Sequence, residues 1–310
     1  MISVLMSVYN EQISWIKEAV DSILNQTYDD WEFIIIIDNP NINIEIREYL
    51  LGIAKKNKKV KLLWNEKNIG LAASLNKGIQ VSNGEYIARM DADDISLPNR
   101  LKSEYTYICK EKCDLISANK ININEDGNIL SYDPEIKRNP NKILQYSNII
   151  IHPLVLVKTE AIKSMGGYRP LRNSEDLDLW LRMIEKGYKI GILNEYLLKY
   201  RIRANSASVE RRLEQYYVDK YIVQLMKERK KMGSDSFSKE RQELFLKKRK
   251  ITDSKKKKFD NANVEIEKAL MKKNRNEDGW FFHLFLGFIL CPNYVIDKMY
   301  RYYFSTIKKW

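Results

Sequence analysis

Two hydrophobic periods alternate along the first hundred residues. Short, mostly apolar runs at Ile2–Val8, Trp31–Ile37, Val60–Trp64 and Tyr86–Met90 are separated by segments whose apolar positions recur three and four apart, as at Ile16, Val20, Ile23 and Leu24. A run apolar on both faces suits a strand buried in a parallel sheet, and the longer period suits a helix with one inward face. Further helices are expected from about Ile44 to Lys56 and from the Asn68-Ile69-Gly70 turn through Ile79. Strand and helix in turn, with short links, predict an α/β fold on a doubly wound, mostly parallel sheet.

The later pattern predicts a helix over Pro98–Glu111 and a strand near Leu115–Asn119. A hairpin is expected around Asp126-Gly127, then a strand through Val157 and a helix from Thr159 to Gly166-Gly167. Another helix opens at Glu175, with Ser174 as its cap and Leu177, Leu181 and Ile184 inward. From about Arg211 the period is helical. The expected division is an α/β domain over residues 1–208 and a helical region over 209–310.

Charge sharpens that division. Of 310 residues, 53 are Lys or Arg and 41 Asp or Glu, a net +12, and residues 211–310 hold 25 basic against 13 acidic side chains. The first part is neutral and the tail basic. Lysine runs there alternate with the apolar Trp280–Cys291 and with Tyr300, Tyr302, Tyr303, Phe304 and Trp310. That alternation suits an anionic membrane surface, and equally a helical subdomain with solvated lysines. The apolar stretch is too short to span a bilayer, and Met1–Val8 has no basic leader. With three cysteines, Cys109 and Cys113 sharing a helix face as buried thiols, and His152 and His283 far apart, no zinc site is expected. The setting implied is reducing and cytoplasmic.

The candidate chemistry lies at the strand ends. Ligands of doubly wound sheets bind outside the carboxyl ends of the strands, which here carry Ser7-Val8-Tyr9-Asn10, Asp38 and Asp91-Ala92-Asp93-Asp94. Three carboxylates in four residues, with no His or Cys, suit Mg²⁺ or Mn²⁺ holding a diphosphate; alone, they also suit a solvated acidic turn. No G-x-G-x-x-G follows the first strand and no P-loop is present, which argues against dinucleotide and P-loop enzymes. Glu175 and Asp176 form an acidic first turn, ordinary by itself, but a source of a general base if that turn lines the crevice. A nucleic-acid-binding role for the basic tail leaves the acidic strand ends unexplained, and no nucleic acid is expected as partner.

Ser3–Asn10, Gln26-Thr27-Tyr28, Glu32–Asp38, Asn68-Ile69-Gly70, Asn76-Lys77-Gly78, Met90–Asp94 with Leu97–Arg100, and Glu175-Asp176 together resemble glycosyltransferase family 2 over about residues 2–208. The resemblance implies an inverting enzyme of GT-A fold using a nucleotide-diphosphate sugar, a UDP-sugar as the commonest case. It implies a glycan or lipid-linked glycan acceptor and a bacterial surface-polysaccharide role. By that resemblance Ser7, Tyr9 and Asp38 line the nucleobase and ribose pocket, Asp91 lies near the ribose, and Asp93, with Asp91, holds the metal. Asn68 and Arg100 shape the donor site, Asp176 is the catalytic base with Glu175 beside it, and Asp178 is a reserve. His152 is placed near the acceptor side or as a packed or surface histidine, while Tyr168 and Trp180 are sugar-stacking or core residues. Two departures stand out: Ile37-Asp38 keeps only the second acid of the family's pair, and Arg203 stands where many members carry a histidine. The second leaves open a member that binds a nucleotide sugar without transfer, and one that does not require the metal.

Overall fold

Ile2–Val8 forms strand β1, and its two neighbours explain where the chemistry collects. It pairs in parallel with β2 (Trp31–Ile37) and β4 (Tyr86–Asp91), in a register that sets Val8 opposite Ile37 and Ser7 opposite Asp91. β3 (Val60–Trp64) continues the parallel set beyond β2. Helices α1 (Ile13–Leu24), α2 (Ile44–Lys56) and α3 (Leu71–Val81) are the crossovers. α1 buries Trp15, Ile16, Ala19, Val20 and Ile23, and every residue of β2 is buried. The expected elements are present, and the carboxyl ends of β1, β2 and β4 lie side by side.

Beyond β4 the pairing changes. A two-residue strand, β5 (Ile95–Ser96), and helix α4 (Arg100–Glu111) follow the acidic turn; then come β6 (Leu115–Ile123), β7 (Ile129–Tyr132) and a short helix α5 (Pro140–Ile143). A 3-10 turn at His152–Leu154 leads into β8 (Val155–Lys158), which is antiparallel to both β4 and β6. After α6 (Thr159–Ser164) and α7 (Glu175–Glu185) comes β9 (Ile190–Arg201), parallel to β6 and antiparallel to β5. The nine-stranded sheet runs β3-β2-β1-β4-β8-β6-β9-β5, with β7 on β6. The β6–β7 hairpin is as expected from Asp126-Gly127, whereas β9 was not anticipated.

The computed structural model describes residues 1–136, 139–203 and 211–304; Trp310 lies outside them. The chain divides into two units. One comprises Met1–Asn141, Ile149–Pro170 and Glu175–Ala204, the other Lys142–Asn148, Leu171–Ser174 and Asn205–Trp310. The second unit contains helices α8 (Arg212–Met232), α9 (Lys239–Arg249), α10 (Asp253–Asn274), α11 (Trp280–Leu290) and α12 (Pro292–Tyr302). It has its own core of Leu213, Phe259, Ala262, Ile266, Tyr294 and Val295. Ser238 and Thr252 cap α9 and α10 by accepting from the Arg241 and Lys255 amides. Among the described residues no helix is long and apolar enough to cross a membrane.

Three local expectations are corrected. Ser174 does not cap α7: its hydroxyl donates to Asp219 at 2.7 Å, and its φ is 57°. Cys109 is exposed and only Cys113, past the end of α4, is buried. α4 stops at Glu111 because Lys112 turns left-handed with φ 51°, so the two cysteines do not share a helix face.

Candidate active site

Asp91, Asp93 and Asp94 offer ligand oxygens that all lie within 4.8 Å of one another. The turn out of β4 forces this: the Asp94 amide donates back to the Asp91 carbonyl, and β5 then leaves to pair with β9. Asp91 is 31 % exposed, and the other two carboxylates are nearly covered. Burial, with Asp91 adding repulsion, pushes Asp93 up to about 7. The same causes, with Asp93 the nearer repeller, hold Asp94 well above the carboxylate range. Asp94 Oδ1 accepts from the Arg201 amide at 2.9 Å, while its buried Oδ2 has no partner among the described residues.

Three arginines answer this charge. Arg89, two residues before Asp91 on the same face of β4, is buried and ion-pairs with it. Arg201, the last residue of β9, donates from Nε to the Asp93 carbonyl at 2.9 Å and from Nη1 to the Glu125 carbonyl at 2.7 Å, pinning the turn. Arg203 brings Nε to 2.8 Å from Asp93 Oδ2, an ion pair whose angle is too poor for a hydrogen bond. Arg203 is therefore where the sequence placed it, beside the acidic turn. Arg89 and Arg201 were missed. The visible clue to Arg89 was a cation inside an otherwise apolar strand, and Arg201 acquires meaning only through the unforeseen β9.

Asp38 follows β2 and is buried. Its Oδ1 accepts from Asn65 Nδ2 and the Ile69 amide, both at 2.9 Å, and its Oδ2 from the Gly70 amide at 2.8 Å. Asp38 thus holds the loop before α3, and Gly70 supplies the φ of 83° with which that loop enters the helix. Asn68 reinforces the loop by accepting from the same Gly70 amide at 3.0 Å. Asn65 accepts in turn from Lys77 Nζ at 2.8 Å. Tyr9 is 47 % exposed at the end of β1, its amide donating to Glu11 Oε2. Ser7 faces Asp91 in register.

Arg100 is not a donor-binding residue in this structure. It is fully buried: Nε pairs with Glu104 at 3.0 Å, Nη1 donates to Ser96 Oγ and Nη2 to the Arg89 carbonyl. It fixes α4 to the strand that carries the acidic turn and presents no atom to a ligand. Asp178, the reserve base, is likewise fully buried. Its Oδ2 accepts from Arg182 Nε at 2.8 Å, and Arg182 also clamps the Met165 and Gly167 carbonyls. It follows Asp176 by two residues, about 200° round the helix from that side chain.

Glu175, at the start of α7, is pushed up to about 7 by burial and by the neighbouring Asp176 charge; Arg89 opposes the rise and Asp91 adds to it. The Glu175-Asp176 pair and the β4 turn, 84 residues apart from Asp91 to Glu175, therefore share one electrostatic field. Tyr168 feels the same Arg89, Asp176 and Glu175 charges, and its hydroxyl meets His152 Nε2 at 2.9 Å. Burial and Arg89 lower His152 well below its ordinary range, so it is a neutral, packed histidine. Trp180 is wholly buried against both rings, a core residue.

A curled, parallel-rich sheet with an acidic turn at its carboxyl edge defines an α/β transferase fold of the GT-A type. The family model "Glycosyl transferase family 2" matches residues 3–165, and the chain belongs to that family. It is 40 % identical over 207 residues to an uncharacterized glycosyltransferase of Methanocaldococcus jannaschii, covering 65 % of this chain and 71 % of that one. It is 37 % identical over 210 residues to the O-antigen biosynthesis glycosyltransferase WbnJ of Escherichia coli, covering 66 % and 81 %. Among solved structures, S. aureus TarS 1-349 in complex with UDP-GlcNAc superposes with a TM-score of 0.59 at 17 % identity, over 79 % of this chain and 70 % of that one. A mannosyltransferase of Pyrobaculum calidifontis in complex with GDP-Man and Mn²⁺ gives 0.56 at 14 %, over 79 % and 67 %. At those identities the likeness concerns the fold.

Proposed function

We propose that this protein is an inverting, metal-dependent glycosyltransferase that moves a sugar from a nucleotide-diphosphate donor, a UDP-sugar, to a hydroxyl of a glycan or lipid-linked glycan in surface-polysaccharide synthesis. The observation that carries the reading is the meeting of Asp91, Asp93 and Asp94 within 4.8 Å at the carboxyl edge of the parallel strands. An all-oxygen cluster fits Mn²⁺ or Mg²⁺. The unpartnered Asp94 Oδ2 among the described residues, and Asp93, raised by burial and by the Asp91 charge, support a place for a further cation. Asp93 and Asp91 would hold the ion, which when bound offsets charge gathering on the leaving diphosphate.

The chain's own groups supply the rest. Ser7 and Tyr9 border the nucleobase and ribose, and Asp38 shapes that pocket by holding the Asn68–Gly70 loop. Arg203 adds a fixed cation at the diphosphate. Asp176, with Glu175 beside it, removes the proton from the acceptor hydroxyl. The hydroxyl oxygen forms its bond to the anomeric carbon as the bond to the nucleotide breaks, in one inverting displacement. Surface-polysaccharide relatives such as WbnJ and the amylovoran glycosyltransferase AmsE of Erwinia amylovora support the setting, and the UDP-GlcNAc complex of TarS supports the donor class. The basic, aromatic tail suits peripheral attachment to an anionic, cytoplasmic membrane face.

The Arg203–Asp93 ion pair favours one second reading, a protein that binds a nucleotide sugar without transferring it. Turnover with UDP-sugars, Mn²⁺ and lipid-linked glycan acceptors, read by NMR of the product's anomeric centre, separates the two. Inverted product is the expected outcome. A product of retained configuration contradicts the single displacement, and donor binding with no product across acceptors favours the inactive reading.

A further inference from the structure

Helices α8, α10, α11 and α12 of the second unit, with residues 146–148, surround a cavity of about 640 Å³, a volume within the range of small-molecule sites. Its walls are apolar and aromatic, with Ile266, Leu270, Trp280, Leu284, Val295 and Tyr302 among them. Lys273, Lys298 and Arg301 also line it, against Asp219. Arg301 is engaged, 3.9 Å from Asp219 and 3.8 Å from Asp297. Lys273 and Lys298 form no ion pair among the described residues. Lys273 lies over the Trp280 and Tyr302 rings at 5.3 and 5.1 Å, and Lys298 over Tyr294 at 5.6 Å.

The cavity reaches the surface through an apolar face. Phe281, Met299 and Tyr303 line it and are also exposed, Phe281 by 67 %. On α11 that face continues through Phe282, Phe285 and Ile289, each more than half exposed. Exposed aromatic surface of this extent marks an interaction site. A polar sugar nucleotide would leave the apolar walls at Ile266, Leu270, Leu284 and Val295 unanswered. A free apolar molecule would leave two unpaired lysines unanswered.

We propose that this cavity binds a membrane lipid bearing a phosphate or diphosphate head, its chain against Trp280, Leu284 and Tyr302 and its head answered by Lys273 and Lys298. The exposed face of α11 lies on the bilayer, so the chain passes from membrane to cavity without crossing water. The lipid's role as acceptor rests on the proposed function; its binding does not.

The test uses the full chain and calorimetric titration with farnesyl diphosphate below its micellar concentration, with UDP and Mn²⁺ present to fill the donor site. Saturable binding is expected, not displaced by inorganic diphosphate. Lys273→Glu with Lys298→Glu should weaken it at least 10-fold, and Leu270→Trp, at a wall position 36 % exposed, should remove binding of farnesyl diphosphate and farnesol alike. Absence of saturable binding in the presence of UDP, indifference to both variants, or self-association of the chain in its place would overturn the proposal. A separate titration of UDP with Mn²⁺ into the nucleotide-free chain separates the two failures: UDP binding without lipid binding sinks this inference alone, and no UDP binding in the unmodified chain sinks the proposed function.

Discussion

Arg203 Nε stands 2.8 Å from Asp93 Oδ2, so the carboxylate best placed for a cation already has a cationic side chain beside it. Arg203 cannot ligate a metal, but it holds Asp93 towards ionisation against burial and against Asp91. Arg203→Ala should therefore lower turnover by about 10²-fold, through loss of charge at the leaving diphosphate. Mn²⁺ titration of turnover checks this, with the variant expected to depend more steeply on Mn²⁺ than the parent.

Asp176→Asn keeps the size of the side chain and removes the proposed base. Turnover should fall by roughly 10²–10⁴-fold, with UDP affinity unchanged, as measured by steady-state rates beside calorimetry. A matching loss of UDP affinity would move Asp176 from the acceptor to the donor side.

Arg100 makes a prediction of another kind. It and Glu104 are both fully buried, 3.0 Å apart, so Arg100→Ala leaves a buried carboxylate unpaired. A loss of about 3–5 kcal/mol of stability is expected, read by chemical denaturation. At a temperature where the variant is folded, its donor KM should match the parent's, because no Arg100 atom faces a ligand.

Glu175 makes stability depend on pH. Its folded value is raised from 4.5 to about 7, so the folded state holds its proton more tightly than the unfolded state. The contribution is full below 4.5 and is lost as pH rises through about 7. Glu175→Gln should melt with the parent at pH 4.5 and above it at pH 8. Equal melting at both, by calorimetric scans, would mean that the carboxylate is not desolvated.

The first four strands were legible because each is apolar on both faces and short, a local property. Their carboxyl ends marked the edge at which Asp91, Asp93 and Asp94 meet. β9 was not legible: its partners are β6 and β5, far back in the chain, and its sequence, with Asn194, Glu195 and Lys199 among apolar residues, carries no clean period of two. Arg201 and the Asp93 backbone were lost with it. Arg100 misled for the opposite reason. A charged residue at the mouth of a helix reads as exposed, and only the tertiary placement of Glu104, Ser96 and the Arg89 carbonyl accounts for its burial. Asp38 was placed at the right edge of the sheet, yet its three acceptor contacts to Asn65, Ile69 and Gly70 belong to a loop whose closure no local pattern shows.

The most direct measurement is calorimetric titration of UDP, GDP, CDP and dTDP with and without Mn²⁺, on the parent chain and on Asp93→Ala. Tight, Mn²⁺-dependent binding of UDP that disappears in the variant is the expected result. Binding of no nucleotide under any condition, or UDP binding indifferent both to Mn²⁺ and to Asp93, would contradict the assignment of the acidic turn as the donor site.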